Sequence, residues 1–168
     1  MIQIPANLTN LALKQPATAS SYWDNNHKPE FGNDGNRDTE WWPKYRNDVV
    51  PPGVQVQPGY VYPISWWQVD LGSTCQIWSI ELVTRRQYDH PWCRYNFAIW
   101  ASNDQDMSNS SVLGGVGSDD LVQFQGTFVL NLTNSVNARY IRATKLVREI
   151  VDEVDFGIAD FRVWGSKG

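Results

Sequence analysis

Ser65-Trp-Trp-Gln-Val-Asp-Leu71 is a short stretch in which apolar side chains recur at every second position. Trp67, Val69 and Leu71 fall on one face of an extended chain, and the residues between them fall on the other face. A period of two is typical of a β-strand that packs one face against a core. We therefore predict a strand here.

The rest of the chain repeats this kind of segment. Short runs rich in β-branched and aromatic residues alternate with clusters of Gly, Asn, Asp and Pro, and no run keeps a helical period over three turns. These features predict an all-β sandwich or barrel, and 168 residues fit a single domain, 1–168. The further predicted strands are Ile77–Val83, Phe97–Ala101, Phe124–Leu132, Tyr140–Leu146 and Ile158–Trp164.

The charge balance narrows the possible partners. The formal net charge is −4 and no run of Lys or Arg occurs, so we expect no nucleic-acid partner. No apolar stretch approaches the roughly 18 residues that cross a bilayer. Met1–Asn7 lacks the charged start and apolar run of a signal peptide, which leaves cytosolic synthesis or a domain taken from a longer, extracellular or cell-surface protein. We favour the second.

The loop Phe31-Gly-Asn-Asp-Gly-Asn-Arg-Asp-Thr-Glu-Trp-Trp42 concentrates oxygen ligands. Asp34 supplies a carboxylate, Asn36 an amide and Thr39 a hydroxyl, while Gly35 permits a tight turn. Ca²⁺ accepts such irregular loops of carboxylate and carbonyl oxygens, so the loop predicts a structural calcium site. The alternative is a turn that the Asp34 side chain stabilises without metal.

Five segments, in order, resemble landmarks of the discoidin family, also called the coagulation-factor C-type or galactose-binding-like domain. The resemblance implies an eight-stranded antiparallel jelly-roll β-sandwich. The segments are the opening strand and turn Asn10–Ser21, the loop Asp34–Trp41, the strand Trp66–Gly72, the late strand Ala138–Arg142 and the closing strand Gly157–Gly165.

The resemblance also implies a complete set of calcium ligands. Asp34 and Asp160 would give carboxylates, and Thr39 would give both its hydroxyl and its carbonyl. Backbone carbonyls would come from Phe31, Asn36 and Ala159. Such a site would tie the first long loop to the last strand.

Three loops would meet at one end of this fold: Ser21–Lys28, Trp42–Tyr62 and Arg85–Arg94. The third loop combines forked donors with aromatic rings, which is the mix that sugar sites need. The candidate ligand-binding residues are Arg85, Asp89, His90, Trp92, Arg94 and, from the second loop, Trp42.

Fucose-binding lectins of the family carry a loop that is similar in Arg85, Asp89 and Arg94. The spacing is longer in this chain, and no histidine stands at the upstream position that those lectins use. The loop therefore predicts a glycan partner, of galactose or fucose type, without naming the sugar. The resemblance implies a non-catalytic carbohydrate-binding module or lectin.

Two other functions stay open at this point. A membrane- or protein-adhesion domain would use apolar loop residues, and the second loop offers Val49, Val50, Val54, Val56 and Tyr60. An enzyme would need an acid–base pair, for which the cluster Glu149, Asp152, Glu153 and Asp155 is the source. No nucleophile stands beside a base at a known spacing, so we expect no catalysis.

Overall fold

The computed structural model describes residues 5–44, 62–87, 91–117, 119–147 and 156–168. Within these residues the chain is almost entirely extended, and its helical segments are the two short 3-10 helices Pro29–Gly32 and Pro91–Arg94. The described residues contain seven strands. They are β1 (Thr9–Asn10), β2 (Ala17–Ala19), β3 (Tyr62–Thr84), β4 (Phe97–Ser102), β5 (Ser111–Val116), β6 (Phe128–Val147) and β7 (Ile158–Lys167).

Every strand pair is antiparallel, and the hydrogen-bonded order is β1-β7-β3-β6-β4-β5, with β2 paired to β3. The prediction of an all-β antiparallel fold is confirmed. The predicted count of eight strands is not confirmed, because the described residues hold seven. The segments predicted as two strands, on either side of Gly72, form one long strand whose register shifts between Asp70 and Cys75. Gly72 has φ 85°, a backbone conformation that glycine adopts without strain.

The long strands fold back over a common core. In a straight strand Trp67 and Leu82 would lie roughly 50 Å apart, at about 3.3 Å per residue. Phe161 is the partner of Leu82 in β7, and yet its ring centroid lies 4.8 Å from that of Trp67. The sheet must therefore bend so that its two halves face each other, with these side chains between them.

The predicted inner face of β3 is buried: Trp67, Val69 and Leu71 are 0–1% exposed. On the opposite face Trp66 and Asp70 are half-buried, as the alternation predicts. Gln68 lies on that face and is nevertheless 3% exposed. Its amide donates to the Gln105 carbonyl and accepts from Arg142 Nε, so its polar atoms are satisfied despite burial.

Two backbone contacts bring distant loops to the start of β7. Trp41 and Ile158 exchange hydrogen bonds of 2.9 and 3.0 Å, and the Arg85 amide donates to the Gly157 carbonyl at 3.1 Å. The end of the predicted metal loop, the end of β3 and the beginning of β7 thus meet at one place.

In the part of the chain that the structure describes, no helix is long and apolar enough to span a membrane. Residues 45–61, with the valines of the adhesion alternative, lie outside the described ranges, and so does the acidic cluster of the enzyme alternative. The structure therefore tests neither alternative.

Candidate functional site

The Trp42 indole is the centre of the loop cluster. The His27 imidazole stacks on it with a centroid separation of 3.7 Å and an interplanar angle of 23°. Arg85 Cζ lies 3.7 Å from the centroid of the same ring. Two groups at that height cannot share one face, so His27 and Arg85 cover opposite faces of Trp42. In this arrangement both faces of the Trp42 ring are covered by side chains of the domain itself.

A buried carboxylate holds this arrangement in place. Glu40 is 1% exposed, and its Oε2 accepts a hydrogen bond of 2.7 Å from Trp42 Nε1. Its Oε1 accepts from the backbone amides of Arg86 and Gln87, the latter at 3.1 Å. One side chain thus orients the central tryptophan and fixes the backbone that follows Arg85. Sequence reasoning missed Glu40, because it occupies a variable position of the loop motif and gives no periodic signal.

The first loop lies against Trp42 through its backbone. The Trp23 amide donates to the Trp42 carbonyl at 2.8 Å, and the Trp42 amide donates to the His27 carbonyl at 3.3 Å. These bonds leave two large aromatic side chains in solvent: Tyr22 is 42% exposed and Trp23 is 50% exposed. This loop was predicted to lie at the binding end, but neither ring was among the predicted residues. The sequence signal that points to them is the adjacent Tyr-Trp pair in a polar loop.

A hydrogen bond between two side chains orders the same loop. His27 Nδ1 donates to Asp24 Oδ1 at 2.6 Å, and Asp24 Oδ1 also accepts from the Asn26 amide. The hydrogen bond from His27 lowers the pKa of the Asp24 carboxyl from its ordinary value. The imidazole that stacks on Trp42 is therefore also held through its Nδ1 atom by a carboxylate.

The predicted residues of the third loop have different surroundings. Arg85 is 6% exposed and stacks on Trp42, whereas Arg94 is 9% exposed and donates from Nη1 to the Val122 carbonyl at 3.0 Å. The structure therefore associates Arg85, and not Arg94, with the Trp42 stack. The backbone of Trp92 lies in the 3-10 helix Pro91–Arg94, while its side chain, Asp89 and His90 lie outside the described parts of the structure.

In the predicted metal loop, three of the oxygen atoms predicted to bind Ca²⁺ lie close together: Asp34 Oδ2, the Asn36 carbonyl oxygen and Thr39 Oγ1. Thr39 Oγ1 lies 2.6 Å from Asp34 Oδ2 and 2.9 Å from the Asn36 carbonyl oxygen. Asp34 Oδ1 accepts from the Asn36 amide at 2.8 Å, which is the turn of the metal-free alternative. Gly35 has φ 85° and permits that turn. These donor types and their closeness suit a hard cation.

The other half of the predicted set comes from β7. Ala159 is 1% exposed, and Asp160, 3% exposed, accepts at Oδ2 from Arg37 Nε at 3.1 Å and from Arg162 Nε at 2.9 Å. Phe31 lies in the first 3-10 helix. Among the described residues no three His, Cys, Asp or Glu side chains form a metal-binding group. The predicted set contains only two carboxylates, so this finding does not bear on it.

Arg86 connects the metal loop to the Trp42 cluster. Its Nη1 donates to the Arg37 carbonyl at 3.2 Å and lies 3.9 Å from Asp38 Oδ1. The Arg86 amide is meanwhile bound by Glu40. The two predicted sites are therefore neighbours that share the segment from Arg37 to Trp42.

The comparisons place the chain among known domains. The family model of the F5/8 type C domain matches residues 16–148. No curated protein sequence matches the chain.

Three solved structures show the same fold. Chitosan-binding module 1 of a chitosanase/glucanase from Paenibacillus sp. IK-5 is 23% identical with a TM-score of 0.66, and the match covers 94% of this chain and 99% of that one. The family 32 CBM of Clostridium perfringens NanJ, solved with galactose, is 17% identical with a TM-score of 0.66 over 94% and 99%. A fucolectin from striped bass (Morone saxatilis) serum is 16% identical with a TM-score of 0.67 over 94% of this chain and 47% of that one. At these identities the likeness confirms the predicted β-sandwich.

Proposed function

Since the chain belongs to the F5/8 type C (discoidin) domain family, we propose that it is a non-catalytic domain that binds glycans through the loops around Trp42. The single observation that carries the proposal is the exposed Trp23 ring beside a rigid, hydrogen-bonded cluster. The similar structures are named as chitosan-binding, galactose-bound and fucolectin proteins, which supports the same class of ligand.

Trp23 is suited to stack on a sugar ring. A pyranose presents a patch of C–H groups, and an indole face offers a flat apolar partner for it. Trp23 is 50% exposed, and it belongs to a loop whose backbone is hydrogen-bonded to Trp42. Because the loop is already ordered, little conformational entropy is lost when a ligand binds. Tyr22, the adjacent residue, is 42% exposed and is the second candidate ring.

We propose that polar groups of the same loop cluster bind the sugar hydroxyls. Gln87 is exposed, and its backbone is fixed by Glu40. Asp24 is exposed as an acceptor, and Arg86, whose side chain is 29% exposed, is a forked donor. Arg85 and Trp42, both predicted ligand contacts, then serve to support the site. Asp89, His90, Trp92 and Arg94 stay predictions.

The experiment is a glycan array followed by calorimetry of Trp23→Ala and Gln87→Ala. The array should carry galactosides, fucosides and chitooligosaccharides, because the sugar is not fixed by these residues. We expect binding by the unmodified domain, at least a tenfold loss for Trp23→Ala, and a smaller loss for Gln87→Ala.

The matched control is Val129→Ala on β6, which removes an exposed apolar side chain (49% exposed) from the sheet. It should bind within twofold of the unmodified domain. Silence of the unmodified domain on the whole array would contradict glycan binding. Full binding by Trp23→Ala would move the site away from this loop.

Calcium is the second part of the proposal. Asp34, Asn36 and Thr39 fit a hard cation by their donor types and closeness, and Phe31, Ala159 and Asp160 complete the proposed set. Bound Ca²⁺ would supply a stabilising link between the loop and β7, since a ligand that binds only the folded state raises stability. Asp34→Ala should lower the melting temperature and remove the effect of added Ca²⁺. Identical melting curves with Ca²⁺ and with chelator would refute this part.

Glycan recognition agrees with the extracellular or cell-surface location predicted from the sequence. The adhesion alternative is tested in parallel by sedimentation with phosphatidylserine vesicles. Strong sedimentation of the domain, with no response on the array, would favour that alternative.

A further inference from the structure

Arg37 forms a contact that the calcium prediction did not include. It belongs to the loop between Asp34 and Thr39, yet its Nε donates to Asp160 on β7 at 3.1 Å. The same oxygen of Asp160 accepts from Nε and Nη2 of Arg162, at 2.9 and 2.8 Å. Asp160 is 3% exposed, so two guanidinium groups neutralise a buried carboxylate. The contact already joins the loop to the last strand, which is the role expected of the metal.

The two arginines differ in how firmly they are held. Arg162 is a residue of the strand itself, and its Nη1 also lies 3.8 Å from Glu81 Oε2. Arg37 is in a loop, and 38% of its side chain is exposed. The Arg162 side chain is similarly exposed, at 31%, so the two differ in the loop position of Arg37 and in the second partner of Arg162. Of the two cations at Asp160, Arg37 is the one that can leave without disturbing the sheet.

A divalent ion cannot use Asp160 while Arg37 remains there. The arginine contacts are all to Oδ2, and a Ca²⁺ ion bound at either oxygen of this carboxylate would stand beside two positive groups. Like charges a few ångströms apart repel strongly in a water-poor setting. If Arg37 moves away, the Asp160 carboxylate would interact with Ca²⁺ and with Arg162 only. Occupation by calcium and occupation by Arg37 should thus exclude each other.

We propose that Arg37 is an internal cation that braces the 34–39 loop to β7 through Asp160, and that Ca²⁺ must displace it to reach that carboxylate. The brace does not depend on the proposed glycan function. The competition rests on the proposed calcium site, and it makes the calcium affinity of this domain a property that Arg37 sets. A domain built in this way keeps its loop fixed when calcium is scarce.

The test compares Arg37→Gln with the unmodified domain, each in chelator and in a calcium titration. Gln keeps part of the side-chain length but removes the charge. In chelator the melting temperature of Arg37→Gln should be about 2–4 °C lower than that of the unmodified domain. This is the shift expected when a domain of this size loses one partly exposed ion pair. In calorimetry its affinity for Ca²⁺ should rise at least tenfold, and added Ca²⁺ should raise its melting temperature more than that of the unmodified domain.

The control is Lys167→Gln, which removes one exposed positive charge at the end of β7. It should change neither quantity, so that a general charge effect is separated from the contact at Asp160. An unchanged melting temperature of Arg37→Gln in chelator would overturn the brace. Equal calcium affinities of the two proteins, or no calcium binding by either, would overturn the competition. Glycan binding is measured separately and decides neither result.

Discussion

Replacing Glu40 should damage both the stability and the binding site of this domain. The carboxylate is buried and accepts from Trp42 Nε1 and from the amides of Arg86 and Gln87. Glu40→Ala removes the acceptor for all three donors. Glu40→Gln keeps one carbonyl oxygen and replaces the other oxygen by an amino group.

The expected loss of unfolding free energy in Glu40→Ala follows from these contacts. A hydrogen bond to a charged group contributes about 1.5–3 kcal/mol, and a buried donor left without an acceptor costs about 1–3 kcal/mol. Removing the carboxylate also removes its own desolvation cost, which offsets part of the loss. We therefore expect the free energy of unfolding to fall by about 3 kcal/mol in Glu40→Ala, or ~6–12 °C in melting temperature.

The free energy of unfolding of Glu40→Gln should lie between that of Glu40→Ala and that of the unmodified domain. Both backbone amides use Oε1, so a glutamine carbonyl can still serve them. Its amino group then faces the Trp42 N–H, and two donors meet. The cost is about 1–3 kcal/mol, concentrated at Trp42. Glycan affinity should fall in both variants, because the ring that supports the first loop loses its orientation.

The assay is urea denaturation at neutral pH, with Glu30→Ala as the control. Glu30 is exposed and carries the same charge, so its removal should change stability by less than about 0.5 kcal/mol. The m-value should be equal in all variants, which makes the free energies comparable. A loss below about 0.5 kcal/mol in Glu40→Ala would refute the view that this carboxylate holds the loops together.

Two further predictions address the base of the site and the sheet. Gly157→Ala would place a Cβ 3.1 Å from Trp42 Cδ1 and 3.2 Å from Arg85 Cβ. Because these side chains belong to the loop cluster, the substitution should weaken glycan binding in calorimetry more than it lowers the melting temperature. An unchanged glycan affinity would contradict this prediction. Arg139 donates two hydrogen bonds to Asp70, and these lower the pKa of the Asp70 carboxyl. The pair therefore stabilises the folded state fully above the unfolded pKa, which is near 3.8. This stabilisation is lost as the pH falls through the lower pKa of the folded state. Asp70→Asn should therefore flatten the acid side of a stability–pH curve, and an unaltered acid limb would exclude this pair as its source.

The fold was largely predictable because its signals are local. The alternation of Trp67, Val69 and Leu71 gives the buried face of β3 directly, and their exposure agrees with it. The continuity of β3 across Gly72 was not predictable, since a glycine at this point in the sequence indicates the end of a strand. In the structure Gly72 turns the chain with positive φ while pairing resumes after it. A glycine that bends a strand and a glycine that ends one look the same in sequence.

The candidate site was less predictable because it depends on residues that are far apart. Arg85 was predicted as a ligand contact because it is a forked donor, whereas His27 was not among the predicted residues. Only the tertiary structure shows that they cover the two faces of Trp42. Among the described residues Tyr22 and Trp23 are exposed, and neither was among the residues predicted from the sequence.

The segment from Arg37 to Trp42 links the stability of the domain to its binding surface. Arg37 reaches Asp160, Glu40 holds the third loop, and Trp41 pairs with Ile158. Substitutions within this segment should therefore change stability and affinity together. Trp23 lies outside the segment and is half exposed, so Trp23→Ala should change affinity alone. If affinity and melting temperature failed to vary together among Arg37, Glu40 and Trp42 variants, the two sites would be neighbours in space without being coupled.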